Sequence, residues 1–105
     1  MKPNAYVIVT FLFYKEGNRW VGQCKELGTS TFGRSIQEAL ERLHEAVGLH
    51  LNTLEQVGEC ERFFHEHNIT LHPHKPQGDE IRIPIEPDAF VRSYIYPIHE
   101  ALLNT

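Results

Sequence analysis

No apolar run in this 105-residue chain approaches the ~20 residues that a bilayer-spanning helix needs. The start, Met1-Lys2-Pro3-Asn4-Ala5, has no basic region followed by an isolated apolar block and a cleavage site. It leads straight into a strand pattern, and a cytoplasmic location is expected. An excess of basic charge is also missing. Ten Lys and Arg stand against 14 Asp and Glu, a net charge of −4 with histidine neutral. That balance argues against nucleic-acid binding through bulk charge, so DNA is not an expected partner; it is compatible with a basic protein partner and is also the common balance of a soluble domain, the reading given more weight. Cysteine is scarce. Cys24 and Cys60 form no Cys-x-x-Cys pair and read as two small packed thiols. There is no phosphate-cradling glycine loop, because Gly28 and Gly33 bound a strand rather than open a helix. No Ser-His-Asp or Cys-His order, internal repeat or low-complexity stretch is present.

What is present is enough apolar residue, 41% of the chain, for one folded domain. A chain of this size buries roughly 60–70% of its unfolded surface. The organising stretch runs from Trp20 to Leu54. Trp20–Cys24 reads as a strand with Gly22 marking a bulge or close approach. Glu26-Leu27-Gly28 makes a tight turn, and Thr29–Phe32 is a polar, β-prone strand suited to an edge. At Gly33 the period changes from 2 to 3.6. Ser35 has the chemistry of an N-cap, with Glu38 placed to complete a capping box on the amide of Ser35. Ile36, Ala39, Leu40, Leu43, Ala46, Val47, Leu51 and Leu54 then share one helical stripe. This predicts a main helix over Ile36–Leu51, weakened near its end by Gly48.

Before that stretch, Ala5–Tyr14 is predicted as a central strand. Val7, Val9, Phe11 and Phe13 lie on one face, and Tyr6, Ile8, Leu12 and Tyr14 on the other. Lys15-Glu16-Gly17-Asn18 is a hairpin turn, with Gly17 and Asn18 suited to positive φ. After the main helix, Leu54–His67 reads as a shorter helix broken at Gly58. Ile69–His72 is a short strand, and His72–Asp79 a loop. Ile81, Ile83 and Ile85 alternate as an edge strand interrupted by Pro84. Phe90–Tyr96 is a last strand that Pro97 ends, followed by a tail of short helix or coil over His99–Leu103. The expected class is α+β: a three-strand antiparallel meander, a long helix on one face and further C-terminal strands. The whole chain is one domain, with a core module over 5–54 and an extension over 69–105.

The ordered set Trp20-Val21-Gly22-Gln23-Cys24, Glu26-Leu27-Gly28-Thr29-Ser30-Thr31-Phe32-Gly33 and Glu38-Ala39-Leu40 resembles the HicB-like antitoxin family. The likeness covers roughly Tyr6 to Leu54. It implies a partial ribonuclease-H-like fold and a binding protein that neutralises a small, basic, mRNA-cleaving HicA-like toxin by covering its catalytic histidine. Lys25 stands where the family usually has proline, and Arg34 where it has aspartate. After Ile85 twenty residues follow, without the two periodic helices of a DNA-binding segment. Operator binding is therefore not expected.

Ribonuclease-H-like catalysis needs several carboxylates on adjacent strands to hold two magnesium ions. Ala5–Tyr14 and Trp20–Cys24 contain none, and Glu16 and Glu26 lie in turns. Of the seven histidines, His65 and His67 are two apart on a helix and do not face each other. His72 and His74 straddle Pro73 in a loop, so solvated side chains are the expectation. No catalytic residue, metal or cofactor is assigned. One helix-covered face leaves Tyr6, Ile8, Leu12 and Tyr14 over, and the C-terminal strand carries Phe90, Arg92, Tyr94 and Tyr96 as an aromatic-plus-arginine row. These eight residues are the expected interface of a homodimer or higher oligomer, or of a partner. The alternative is an oligomeric small-ligand- or metal-binding domain with the same fold and no toxin.

Overall fold

The computed structural model describes residues 5–77 and 90–99. Among these, the order is β1 (Ala5–Glu16), β2 (Arg19–Cys24), β3 (Thr29–Gly33), α1 (Ile36–Val57), α2 (Cys60–Glu66) and β4 (Phe90–Ile98). The chain is α+β. Among the described residues four antiparallel strands form one sheet in the order β3-β2-β1-β4, in which β1 is an interior strand and β3 an edge. No helix among the described residues is long and apolar enough to cross a membrane. The expected strand at Ile81–Ile85, and the tail beyond His99, lie outside the described residues.

Alternation along β1 divides the sheet. Val7, Val9, Phe11 and Phe13 are buried beneath the helices with Ala39, Leu43, Val47, Leu51, Cys60 and Phe64. Gly22 lies on the same face. A Cβ there would stand 3.1 Å from a Phe13 ring carbon and 3.4 Å from Leu43, so the glycine marks a close approach rather than a bulge. Gly33 is tighter still, since a Cβ would meet the Ala39 backbone nitrogen at 2.5 Å. Ser35 caps α1, its Oγ accepting from the Glu38 amide at 3.1 Å. The Glu38 carboxylate reaches back as expected but accepts from the Arg34 amide, at 3.2 Å, one residue earlier than the Ser35 amide.

Several boundaries differ from the sequence reading. The main helix runs six residues past Leu51, to Val57. Gly48 sits within it with open space around it. Its cost of about 1 kcal/mol is smaller than the packing of Leu51 and Leu54 gains. The break comes at Gly58, in the left-handed region at φ 69°, and the second helix shrinks to Cys60–Glu66. In the first hairpin only Gly17 takes a positive φ. The strand expected at Ile69–His72 is a single bridge, with Tyr6 and His72 exchanging two backbone bonds of 2.8 Å.

β4 continues through Pro97 to Ile98. Tyr6 bonds His72, and Thr10 accepts from Lys25, on the side away from β4. The odd-numbered residues of β1 therefore bond β4, through Phe90, Arg92, Tyr94, Tyr96 and Ile98. Pro97 belongs to the other set, whose backbone groups face away from β1. Its missing N–H costs the ladder nothing.

Candidate interaction surfaces

The same register decides where the eight expected interface residues lie. Tyr6, Ile8, Leu12 and Tyr14 share the helix-free face, half-buried. Phe90, Arg92, Tyr94 and Tyr96 pair with Phe13, Phe11, Val9 and Val7, so they stand on the helix side. The two halves occupy opposite faces of the sheet. β4 contributes Val91, Ser93 and Ile95 to the helix-free face instead, and β2 contributes Val21 and Gln23. There Gln23 Nε2 donates to the Tyr14 hydroxyl at 3.3 Å.

On the helix side the aromatic row packs inward. Tyr94 lies 4.7 Å from Phe11 and 4.6 Å from His44, ring centre to ring centre. His44 Nδ1 is hydrogen-bonded to the Tyr96 hydroxyl. Phe90 remains 57% exposed and leans on Trp20 at 5.9 Å. His44 was not among the expected site residues. Its signal was the i, i+4 spacing Ile36, Leu40, His44, which continues the flank of the buried stripe.

Burial shifts three ionisable groups here. Burial pushes the Cys24 thiol up to about 11. Burial also raises the Tyr96 hydroxyl well above the ordinary tyrosine range. Desolvation lowers His44 below 6.5, which favours its neutral form. A thiolate or phenolate nucleophile needs the opposite displacement.

Glu26 has a structural partner. Its carboxylate accepts from the Thr10 amide at 2.7 Å and the Thr10 hydroxyl at 2.8 Å. β2 ends at Cys24, and this clamp satisfies the β1 donor that a longer β2 would have paired. Gly28, at φ 71°, turns the chain into β3.

Among the described residues no three His, Cys, Asp or Glu side chains converge as a metal site. His67 stacks on Phe63 at 4.1 Å. An open depression of about 670 Å³ beside α2 is lined by Arg62, His65, Phe64, Ile69 and Leu71 among others.

Charge is unevenly spread. From Ile36 to Glu66 the helical layer holds seven Glu against two Arg, a net −5. From Ala5 to Arg34 the net charge is +2, with four Lys and Arg against two Glu. Some helical carboxylates are engaged, as in Arg62 with Glu59 at 3.2 Å and Glu66 at 3.5 Å. Set against protein-family models, curated proteins and solved structures, the chain finds no match.

Proposed function

We propose that this chain is a HicB-like, non-enzymatic antitoxin that binds and neutralises a small, basic, mRNA-cleaving HicA-like toxin. The observation that carries this reading is the shared task of the residues bearing the resemblance. Gly22 and Gly33 let α1 lie close on the sheet. Glu26 clamps Thr10, and Gly28 makes the turn. Cys24 packs in the core, and the Glu38 amide donates to the Ser35 cap. The motif thus specifies the meander-plus-helix frame that the family likeness implies. The net −5 of the helical layer supports a basic partner on that side. The helix-free face, with Tyr6, Ile8, Leu12 and Tyr14 half-buried, supports self-association there into a homodimer.

The experiment is co-expression with a neighbouring reading frame for a small basic protein, followed by co-purification. Joint elution at physiological salt is expected. A folded chain that elutes free of that protein contradicts the proposal. Sedimentation of the chain at micromolar concentration checks the homodimer, and a monomer there removes that part.

A further inference from the structure

We infer that the β3 edge is a docking strip for an extended acidic peptide segment of a protein partner, which adds to the sheet as a further strand. This proposal does not rest on the antitoxin reading, whose partner is basic and faces the helices.

The argument starts from the ladder. The β1–β2 bonds use Arg19, Val21 and Gln23, so Trp20, Gly22 and Cys24 bond β3 through Gly33, Thr31 and Thr29. The backbone groups of Ser30 and Phe32 therefore point outward. Among the described residues, the one hydrogen bond given to them comes from Arg42 Nη1, which donates to the Phe32 carbonyl at 2.8 Å. Among the described residues nothing pairs with the Ser30 N–H, the Ser30 C=O or the Phe32 N–H, which can take an incoming strand.

The surroundings of this edge are unlike the rest of an acidic protein. Arg19, Arg34 and Arg42 line a depression with Phe32, Gly33 and Glu38. Arg19 lies on the helix-free face, its guanidinium carbon 4.2 Å from the centre of the Phe32 ring. Arg42 comes from α1 on the opposite face. An added strand alternates its side chains between those two faces, so acidic residues on either side meet a guanidinium. Phe32, 45% exposed, gives an apolar residue of that strand a surface to cover. The opposing carboxylates are few, Glu16 exposed and Glu38 half-buried. Glu16 approaches Arg19 at 3.9 Å, and Glu38 holds Arg42 at 3.3 Å. The Arg34 side chain has no ion pair among the described residues. Three arginines beside two carboxylates leave positive charge along an unpaired strand edge, and backbone pairing with charge complementarity favours an acidic extended peptide over a nucleic acid.

The test uses the full chain and a labelled peptide of alternating Glu and Val, followed by fluorescence anisotropy and amide chemical shifts. Binding is expected at low salt, weakening as salt rises, with the largest shifts at Ser30 and Phe32. Arg34→Glu should weaken it roughly tenfold. Ser30→Pro removes an outward donor but no β2–β3 ladder bond, so it should abolish binding while thermal unfolding stays close to that of the parent. A peptide alternating Lys and Val should not bind. The inference is overturned if the acidic peptide does not bind, or if Ser30→Pro folds and binds as the parent does. It is also overturned if shifts map elsewhere, or if single-stranded RNA binds this corner more tightly than the peptide.

Discussion

Three glycines, each replaced by alanine, give a graded test of how closely α1 lies on the sheet. The decisive one is Gly33. A Cβ there would sit 2.5 Å from the Ala39 nitrogen, 3.0 Å from the Glu38 carbonyl carbon and 3.1 Å from the Ala39 Cα. All three are backbone atoms of the first helical turn, so no side-chain rotation relieves the clash. The turn must lift by about 1 Å to restore van der Waals contact. Overpacking of this kind costs about 1–3 kcal/mol. Lifting the turn also stretches the bond from Thr31 Oγ1 to the Ala39 carbonyl, now 3.3 Å, a further loss of about 1 kcal/mol. Gly33→Ala should therefore destabilise by about 2–4 kcal/mol. With a urea slope of about 2 kcal/mol/M, the midpoint falls by roughly 1–2 M. At Gly22 the obstacle is the Phe13 ring at 3.1 Å, which can tilt, so the loss should be about 1 kcal/mol. At Gly48 nothing lies within 4 Å, and alanine should stabilise by about 0.5–1 kcal/mol. Urea titrations of the three variants decide the matter. A Gly33→Ala loss below about 0.5 kcal/mol, or no difference in sign between Gly33 and Gly48, would refute the close packing of helix on sheet.

Leu43, fully buried at mid-helix, should lose about 2–5 kcal/mol as Leu43→Ala in the same titration. Glu26→Gln keeps the shape but weakens the charge-assisted clamp on Thr10, and should cost about 1–3 kcal/mol, with the amide of Thr10 exchanging faster. His44 has a folded pKa below its ordinary 6.5, so the unfolded chain takes its proton first. Its contribution is intact above pH 6.5, declines as pH falls through that value and levels off beneath the folded pKa. Unfolding midpoints from pH 8 to 5 should show this decline in the parent and a shallower one in His44→Asn. Cys24, buried and raised to about 11, should resist a thiol reagent at pH 8 until the chain unfolds.

What could be read from the sequence follows the range of the forces involved. The Ser35 cap, the turn at Gly28 and the stripe Ala39, Leu43, Val47 and Leu51 are local patterns, and each appears where its chemistry placed it. The helix end was not legible from Gly48, because burial of Leu51 and Leu54 outweighs one glycine. Pro97 looked like a stop because the direction of its missing N–H depends on the register with Tyr6, 91 positions earlier. The same register sets the face of Phe90, Arg92, Tyr94 and Tyr96. Alternation groups these residues, but a one-residue slip would move them all to the other face, and nothing within the strand fixes it. The His44–Tyr96 pair joins residues 52 apart and depends on that register too.

The most direct test of the antitoxin proposal is a titration of messenger-RNA cleavage by the small basic neighbour with increasing amounts of this chain. Cleavage should stop near equimolar addition. It should return when Glu41, Glu45 and Glu61, exposed on the helical layer, are changed together to lysine in a variant that unfolds like the parent. Cleavage that continues unchanged in the presence of excess folded chain would contradict it.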